Sequence, residues 1–353
     1  MKVNFDDYSY YPALRTRAAE ILGLSKVASD KKEKILPVIT LGKWPRSDEI
    51  QVSLDKTIEA MDGNPFILDV TQENKHHCNS SFELLSPDSN FKKWIDFCSQ
   101  SESIVPIVQM PDSARLRDIS LQAKILERER GSIAFRIRNL NTDINKVLSS
   151  LISLDRPENA LVFIDLSYIR GNISIATSAA ISAINQIRTE IPEAIISVLT
   201  TSFPNSVTSF CRADGQSGFI DIIERDFHQA IGGQSVAIYG DHGSIHSVVY
   251  DEVGGRYVPR IDVALDDAWY FERRPGIDSK GYIDAARAIL SSYPNYQEDD
   301  SWGAEMIRNA SLGEISGMGS PAKWIAVRVN LHITKQIDLS NALKYISEDD
   351  DIF

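Results

Sequence analysis

Residues 160–165, Ala-Leu-Val-Phe-Ile-Asp, set five apolar side chains in a row and stop on a carboxylate. A strand with one wet face would alternate. An unbroken run predicts a strand covered on both faces, as in a parallel sheet flanked by helices. Asp165 then stands at the strand's carboxyl end, where α/β barrels and open sheets gather their ligands. The same pattern recurs. Strands are expected at 8–14, 34–41, 65–70, 104–109, 133–138, 160–165, 194–199 and 236–241. Helices are expected from 15 to about 27, then at 54–61, 91–99, 113–130, 143–153 and 173–190. Segment 219–231 reads either as a helix or as a short strand followed by one. Pro37 and Pro106 are awkward inside two of the strands, because proline brings no ladder donor. Eight strands alternating with helices imply an α/β fold, a closed (β/α)8 TIM-like barrel. The competing architecture is an open doubly wound sheet. It calls for a glycine-rich first βα turn, and Arg15-Thr-Arg-Ala-Ala-Glu20 has no glycine.

Beyond Asp241 the pattern changes to a C-terminal elaboration, a β-hairpin plus helices. The hairpin is expected from 245–250 and 257–263 around Gly254-Gly255, with 269–276 extending it. Helices are expected at 281–292, the candidate closing helix of the barrel, at 302–311 and at 323–336. The Gly/Ser-rich stretch 313–320 reads as a loop, mobile by composition. The simplest organisation is one domain, 1–353, with a barrel core of about 8–245 and an elaboration of about 246–353 that includes the closing helix.

The formal charge of −12 excludes a protein coated by duplex DNA or seated on an anionic membrane. Three dispersed cysteines, Cys78, Cys98 and Cys211, form neither a disulfide framework nor a CxxC metal pair, and fit a cytoplasmic compartment. Residues 1–7 show no apolar leader and no run approaches a membrane span. The acidic end, 348–353, is expected to fray.

If the barrel closes, its strand ends bring Arg15, Arg17, Thr40, Lys43, Asp69, Gln109, Arg136, Arg138, Asp165, Thr200 and Asp241 with His242 to one mouth. Arginine forks suit phosphate or carboxylate oxygens, so Arg15, Arg17, Asp69, Gln109, Arg136, Arg138 and Thr200 are the expected ligand-binding set. Asp69, Asp165 and Asp241 are the expected ligands of a divalent cation, and Asp165, Asp241 and His242 the catalytic set of a metal-assisted phosphodiester-type hydrolysis. His242 is the candidate general acid or base, in the glycine-flanked Gly240-Asp-His-Gly243. The competing account is a plug in which the aspartates neutralise the arginines. His76 and His77, adjacent in a polar loop, read as surface residues. His332, in an apolar helical segment, reads as a satisfied structural residue. No GxSxG, HExxH, Walker A or GxGxxG signature is present.

Four stretches in order carry a resemblance. They are Tyr10-Tyr-Pro-Ala-Leu-Arg15-Thr-Arg17-Ala-Ala-Glu20, Lys34-Ile-Leu-Pro37-Val-Ile39, Ser301-Trp302-Gly303, and Ser320-Pro-Ala-Lys-Trp324-Ile-Ala-Val-Arg328-Val-Asn330-Leu-His332. Together the chain resembles the beta protein family of phages, prophages and bacterial defence islands, over nearly its whole length. The resemblance implies a setting in mobile-element loci tied to phage defence. It names no reaction. The family's two lysines in the opening motif stand here as Arg15 and Arg17, which keep the charge but exclude a Schiff base. The family's glutamate after the second motif is Thr40 here. The stretch from Trp324 to His332 is expected to close over the barrel, to contact a partner, or simply to dock as a C-terminal helix.

Two functions follow as expectations. One is a phage-defence or mobile-element protein that recognises a nucleotide-like or otherwise phosphorylated ligand at the barrel mouth. The other is a non-catalytic component that docks a co-encoded protein, such as a nuclease or toxin, on the elaboration around Trp302.

Overall fold

A computed structural model describes residues 2–248, 257–275 and 277–350, the last seven of these in backbone only. Its strands are β1 (Tyr11–Arg15), β2 (Val38–Leu41), β3 (Phe66–Val70), β4 (Ile104–Pro106), β5 (Ile133–Ile137), β6 (Ala160–Tyr168), β7 (Ile195–Thr201), β8 (Ser217–Asp221), β9 (Ile238–Asp241), β10 (Arg260–Ala264) and β11 (Ala268–Arg273). Its helices up to β9 are α1 (Ala18–Ser25), α2 (Ser29–Lys32), α3 (Ile50–Met61), α4 (Asn79–Leu84), α5 (Lys92–Cys98), α6 (Leu116–Arg130), α7 (Leu140–Ser153), α8 (Ile173–Glu190) and α9 (Glu224–Ala230). After them come α10 (Gly281–Ser292), α11 (Trp302–Ser311) and α12 (Pro321–Asp350).

Eight parallel strands run in the order β4-β3-β2-β1-β9-β7-β6-β5. The two ends of that sheet meet where Ile107 bridges Ala134 in parallel and Val108 N–H donates to Ala134 O at 2.9 Å. The result is a nearly closed (β/α)8 TIM-like barrel. The two awkward prolines explain themselves. Pro37 lies just before β2 and offers only its carbonyl, to Ile67 N–H at 2.8 Å. Pro106 ends β4, the shortest strand of the barrel.

Side chains alternate between two cores. Tyr11, Val38, Ile67, Val105, Ile107, Ala134, Leu161, Phe163, Leu199 and Ile238 fill the barrel interior. Their neighbours, such as Ile39, Leu68, Phe135, Val162, Ile164, Val198 and Tyr239, pack outward against the helices. This double burial is why the strands read as continuous apolar runs.

Two expectations about the C-terminal part are corrected. The hairpin is β10–β11, with Arg260 opposite Arg273 and Ala264 opposite Trp269, and β8 joins its far side to complete a three-stranded antiparallel sheet. Residues 245–248 form no strand, and 249–256, with the expected Gly254-Gly255 turn, lie outside the described residues. The barrel's closing helix is not α10, which packs with β10, α11 and Trp324 in the elaboration's own core. That place belongs to α12. Val329, Ile333 and Ile337 on one of its faces join the barrel core, while Trp324, Val327 and Leu331 join the elaboration. Its approach to α1 is close: a Cβ on Gly23 would meet Ala326 O at 2.7 Å and Val329 Cβ at 2.8 Å. The loop at 313–320 is held by Met318, which is buried and whose carbonyl accepts from Trp324 Nε1 at 2.8 Å. Of the acidic end, 351–353 lie outside the described residues. Among the described residues no helix is long and apolar enough to cross a membrane.

Candidate functional site at the barrel mouth

The inward parity of each strand decides which end residues reach the mouth. Continuing the interior series outward gives Arg15 after Ala13, Thr40 after Val38, Asp69 after Ile67, Gln109 after Ile107, Arg136 after Ala134 and Asp165 after Phe163. In β9 the series runs Ile238, Gly240, His242. Arg15, Thr40, Arg136, Arg138, Asp165 and His242 accordingly line one cleft of about 160 Å³.

Arg136 is the hub. Its Nε and Nη2 donate to Asp165 Oδ2 at 3.0 and 2.7 Å, and its Nη1 donates to Thr40 Oγ1 at 2.8 Å and Asp69 Oδ2 at 3.1 Å. Burial works against the guanidinium charge, but Asp165 and Asp69 outweigh it and raise its pKa. Asp69 also accepts from Arg138 Nη2, from Gln109 Nε2 at 3.3 Å and from Val70 N–H at 2.8 Å. Gln109 is itself pinned by reciprocal bonds between its backbone and Gln122. This part of the mouth is the ion-paired plug, and Arg136, Asp69 and Gln109 are spent within it.

Asp165 has a second face. Its Oδ1 accepts from Ser167 N–H at 2.9 Å, a local turn that marks the irregularity in β6, and from His242 Nε2 at 3.0 Å. Burial alone would raise the Asp165 carboxyl. The charges of His242 and Arg136 prevail and hold it far below the usual carboxylate range. With Nε2–H given to Asp165, Nδ1 is the basic nitrogen of the His242 ring. A carboxylate behind an imidazole orients it and stabilises its protonated form, the arrangement that proton transfer needs.

Asp241 is a correction. It continues the outward series Ala237, Tyr239, so its carboxylate enters the helix layer and not the mouth. There Oδ1 accepts from Tyr10 Oη at 2.5 Å and Gly243 N–H at 2.7 Å, and Oδ2 accepts from Tyr239 Oη at 3.0 Å and His332 Nε2 at 2.9 Å. Burial would raise its pKa, but His332 and these donors bring it below the usual value. Asp69, Asp165 and Asp241 therefore do not converge on one cation, and no group of three potential ligands is assembled among the described residues. The expected metal set and Asp241's catalytic role are withdrawn on that orientation. Thr200 is corrected likewise: it follows Ile196 and Val198 outward, and only its carbonyl serves the loop, accepting from His242 N–H at 3.2 Å.

Asp241 still matters to the mouth, because the amide it holds belongs to the turn that presents His242. Gly243 sits at φ 58°, and a Cβ there would meet Leu14 Cδ2 at 2.6 Å, so the turn requires glycine. His332 donates Nε2–H to Asp241 and accepts Trp269 Nε1–H on Nδ1 at 3.2 Å, which ties α12 and β11 to the same turn. It is the satisfied structural histidine that its apolar segment implied.

The cations with room to meet a ligand are at the rim. Arg15 is 22% exposed at its side chain and leans on Glu20 and the carbonyls of His246 and Ser247. Arg138 is 27% exposed at its side chain, which donates to Asp69. Arg17 makes no ion pair among the described residues and lines an adjoining groove with Arg15, Thr40, Lys43 and His76. His76 is not the plain surface residue its polar loop suggested: burial, then the Arg17 charge, lower its pKa. Glu20, buried on Arg15 N–H and Nε, escaped sequence reasoning although it closes the first motif of the resemblance. The three cysteines are free.

Comparison with known proteins agrees with the resemblance. The family model described as Beta protein matches residues 10–338. The chain is 71% identical over 345 residues to Protein beta of Enterobacteria phage P4, a match covering 98% of this chain and 97% of that protein.

Proposed function

For a chain that belongs to the beta protein family, we propose that the barrel mouth binds a phosphorylated, nucleotide-like ligand and that His242, backed by Asp165, exchanges a proton with it. One observation carries the reading: His242 is paired with Asp165 in a cleft that Arg15 and Arg138 share. The arginines supply planar donors for phosphate oxygens, and the imidazole, held by Asp165, supplies a nitrogen that can give or take a proton. Arg136 is assigned a different task, that of keeping Asp165 and Asp69 charged and fixed. The phage relative supports a mobile-element setting, and the free cysteines are consistent with the cytoplasm. A role in defence, with hydrolysis of the ligand as its chemistry, is the fuller form of the proposal.

A thermal-shift screen against mononucleotides, dinucleotides and polyphosphates tests it. The expected result is stabilisation of the wild type by one ligand class, with the shift reduced in Arg138→Ala and kept in size by a non-mouth control such as Lys56→Ala. A flat screen at millimolar ligand, or a shift untouched by Arg138→Ala, removes the mouth as the site. The alternative, docking of a co-encoded protein on the elaboration, keeps Trp302 as its anchor, a partly buried ring packed against the elaboration core.

A further inference from the structure

Away from the mouth, the antiparallel pair β10–β11 sets Arg260 directly opposite Arg273. Like charges at that position repel, and the usual remedy is a carboxylate for each. Arg260 has one: its Nε lies 3.1 Å from Asp262, two residues along the same face. Arg273 has none among the described residues; its Nη1 reaches only Cys211 Sγ and Gly215 O, both at 3.4 Å. Asp262 is further shared with Arg328, 3.2 Å away on α12. Two guanidiniums thus share Asp262, and Arg273, opposite Arg260, has no carboxylate among the described residues, in a protein whose formal charge is −12.

Both arginines of the strand pair line a cleft of about 270 Å³ between the loop after β7 and the elaboration. Its wall also carries Asp262, Tyr282 and the Thr208 region of that loop. Tyr282 is fully buried against Trp324, with ring centroids 5.0 Å apart, and its hydroxyl has no hydrogen-bond partner among the described residues. Buried polar atoms are nearly always satisfied, so this hydroxyl on the wall of a polar cleft points to a polar occupant. With Arg273 lacking a carboxylate among the described residues, the pattern asks for an oxyanion, and Asp262 on the same wall offers an acceptor to a hydroxyl.

We propose that this cleft is a second ligand site, independent of the barrel mouth, and that it takes a small phosphate monoester carrying free hydroxyls, of the sugar-phosphate or mononucleotide class. The phosphate lies between Arg260 and Arg273 and relieves their repulsion, Tyr282 donates into the inner end, and a ligand hydroxyl donates to Asp262.

Isothermal titration of the full chain at low ionic strength, with inorganic phosphate, ribose 5-phosphate and adenosine 5′-monophosphate as probes, tests the site. Ribose 5-phosphate is expected to bind more tightly than inorganic phosphate, and a lead for the monophosphate would place the base in the cleft as well. Arg273→Ala is expected to weaken binding at least tenfold and Tyr282→Phe severalfold, while Arg138→Ala at the mouth leaves this binding unchanged. Arg273 is half-exposed, so its variant keeps the fold even if Tyr282→Phe does not. No heat with any probe, equal binding in Arg273→Ala, or binding abolished by Arg138→Ala alone would each overturn the proposal.

Discussion

Arg136 shows how a single residue can look like a ligand contact and act as a clamp. Its side chain is 6% exposed and bridges two buried carboxylates, Asp69 and Asp165. Removing one partner of a buried pair costs about 3–5 kcal/mol, because the remaining charge is left in a low dielectric. Arg136→Ala is therefore expected to lose stability on that scale in urea denaturation. Arg138→Ala, with its side chain 27% exposed and Asp69 still held by Arg136, is expected to lose no more than about 1 kcal/mol. Equal losses would mean that the two arginines share one structural role. His228 makes a second prediction. It is buried, gives Nε2–H to Ala237 O at 2.7 Å, and leaves Nδ1 without a partner. Burial, with help from Arg225, lowers its pKa to about 4. A histidine depressed on folding binds its proton more readily in the unfolded chain, so stability falls as pH drops from about 6.5 towards 4. The expected loss between pH 7.5 and 4.5 is about 2 kcal/mol from this group, and His228→Leu should flatten that part of the profile. The depressed carboxyls of Asp165 and Asp241 act in a lower window: their stabilising charge is lost only as pH falls below the unfolded value of about 4. An unchanged slope between pH 6.5 and 4.5 in His228→Leu would rule out the histidine as its source. Adjacency also limits what strand-end residues can share: Asp241 and His242 are neighbours on an extended segment, so only one of them can face the mouth. That rule disqualifies His76-His77 as a chelating pair and applies equally here. What the sequence lacks is the sign of the parity, because both faces of β9 are apolar.

Among the elements, α12 is the one on which the most converges. It stands in the eighth helix position, forms part of two cores and delivers His332 to Asp241. Its closeness to α1 depends on Gly23. Alanine there would favour α1 by about 1 kcal/mol in helix propensity. It would also drive a methyl into the Ala326 carbonyl and Val329, at 2.7 and 2.8 Å, and overpacking of that kind costs about 1–3 kcal/mol. The clash is against backbone, which gives little, so Gly23→Ala is expected to be destabilising overall, read as a lowered denaturation midpoint. A neutral or stabilising result would mean that the helices separate freely. The helix itself is legible in the sequence, but not its role. Apolar residues surround it because it lies between two cores, so no single face marks the barrel side. Helix α10, amphipathic and nearer in sequence, looks the better closing helix for that reason.

For the molecule as a whole, the barrel is readable because strands buried on both faces write themselves as runs such as 160–164, separated by helix-length segments. The small sheet is less readable. Its three strands come from two places, β8 between β7 and α9 and the β10–β11 hairpin after the barrel, and pairing across that distance leaves no local trace. The mouth is partly legible: Arg15, Arg138, Asp165 and His242 meet as the strand ends imply, while Arg136, Asp69 and Gln109 are drawn into ion pairs and hydrogen bonds whose geometry composition cannot foretell. The His242–Asp165 pair and Arg138 are proposed to form one ligand site. Carbon-detected NMR of the His242 ring, assigned by His242→Gln, follows it directly during titration with the nucleotide or polyphosphate that stabilises the protein. A saturable shift of the His242 signals is expected, abolished by Arg138→Ala and left intact by Arg273→Ala. His242 signals that stay fixed while the ligand binds would contradict it.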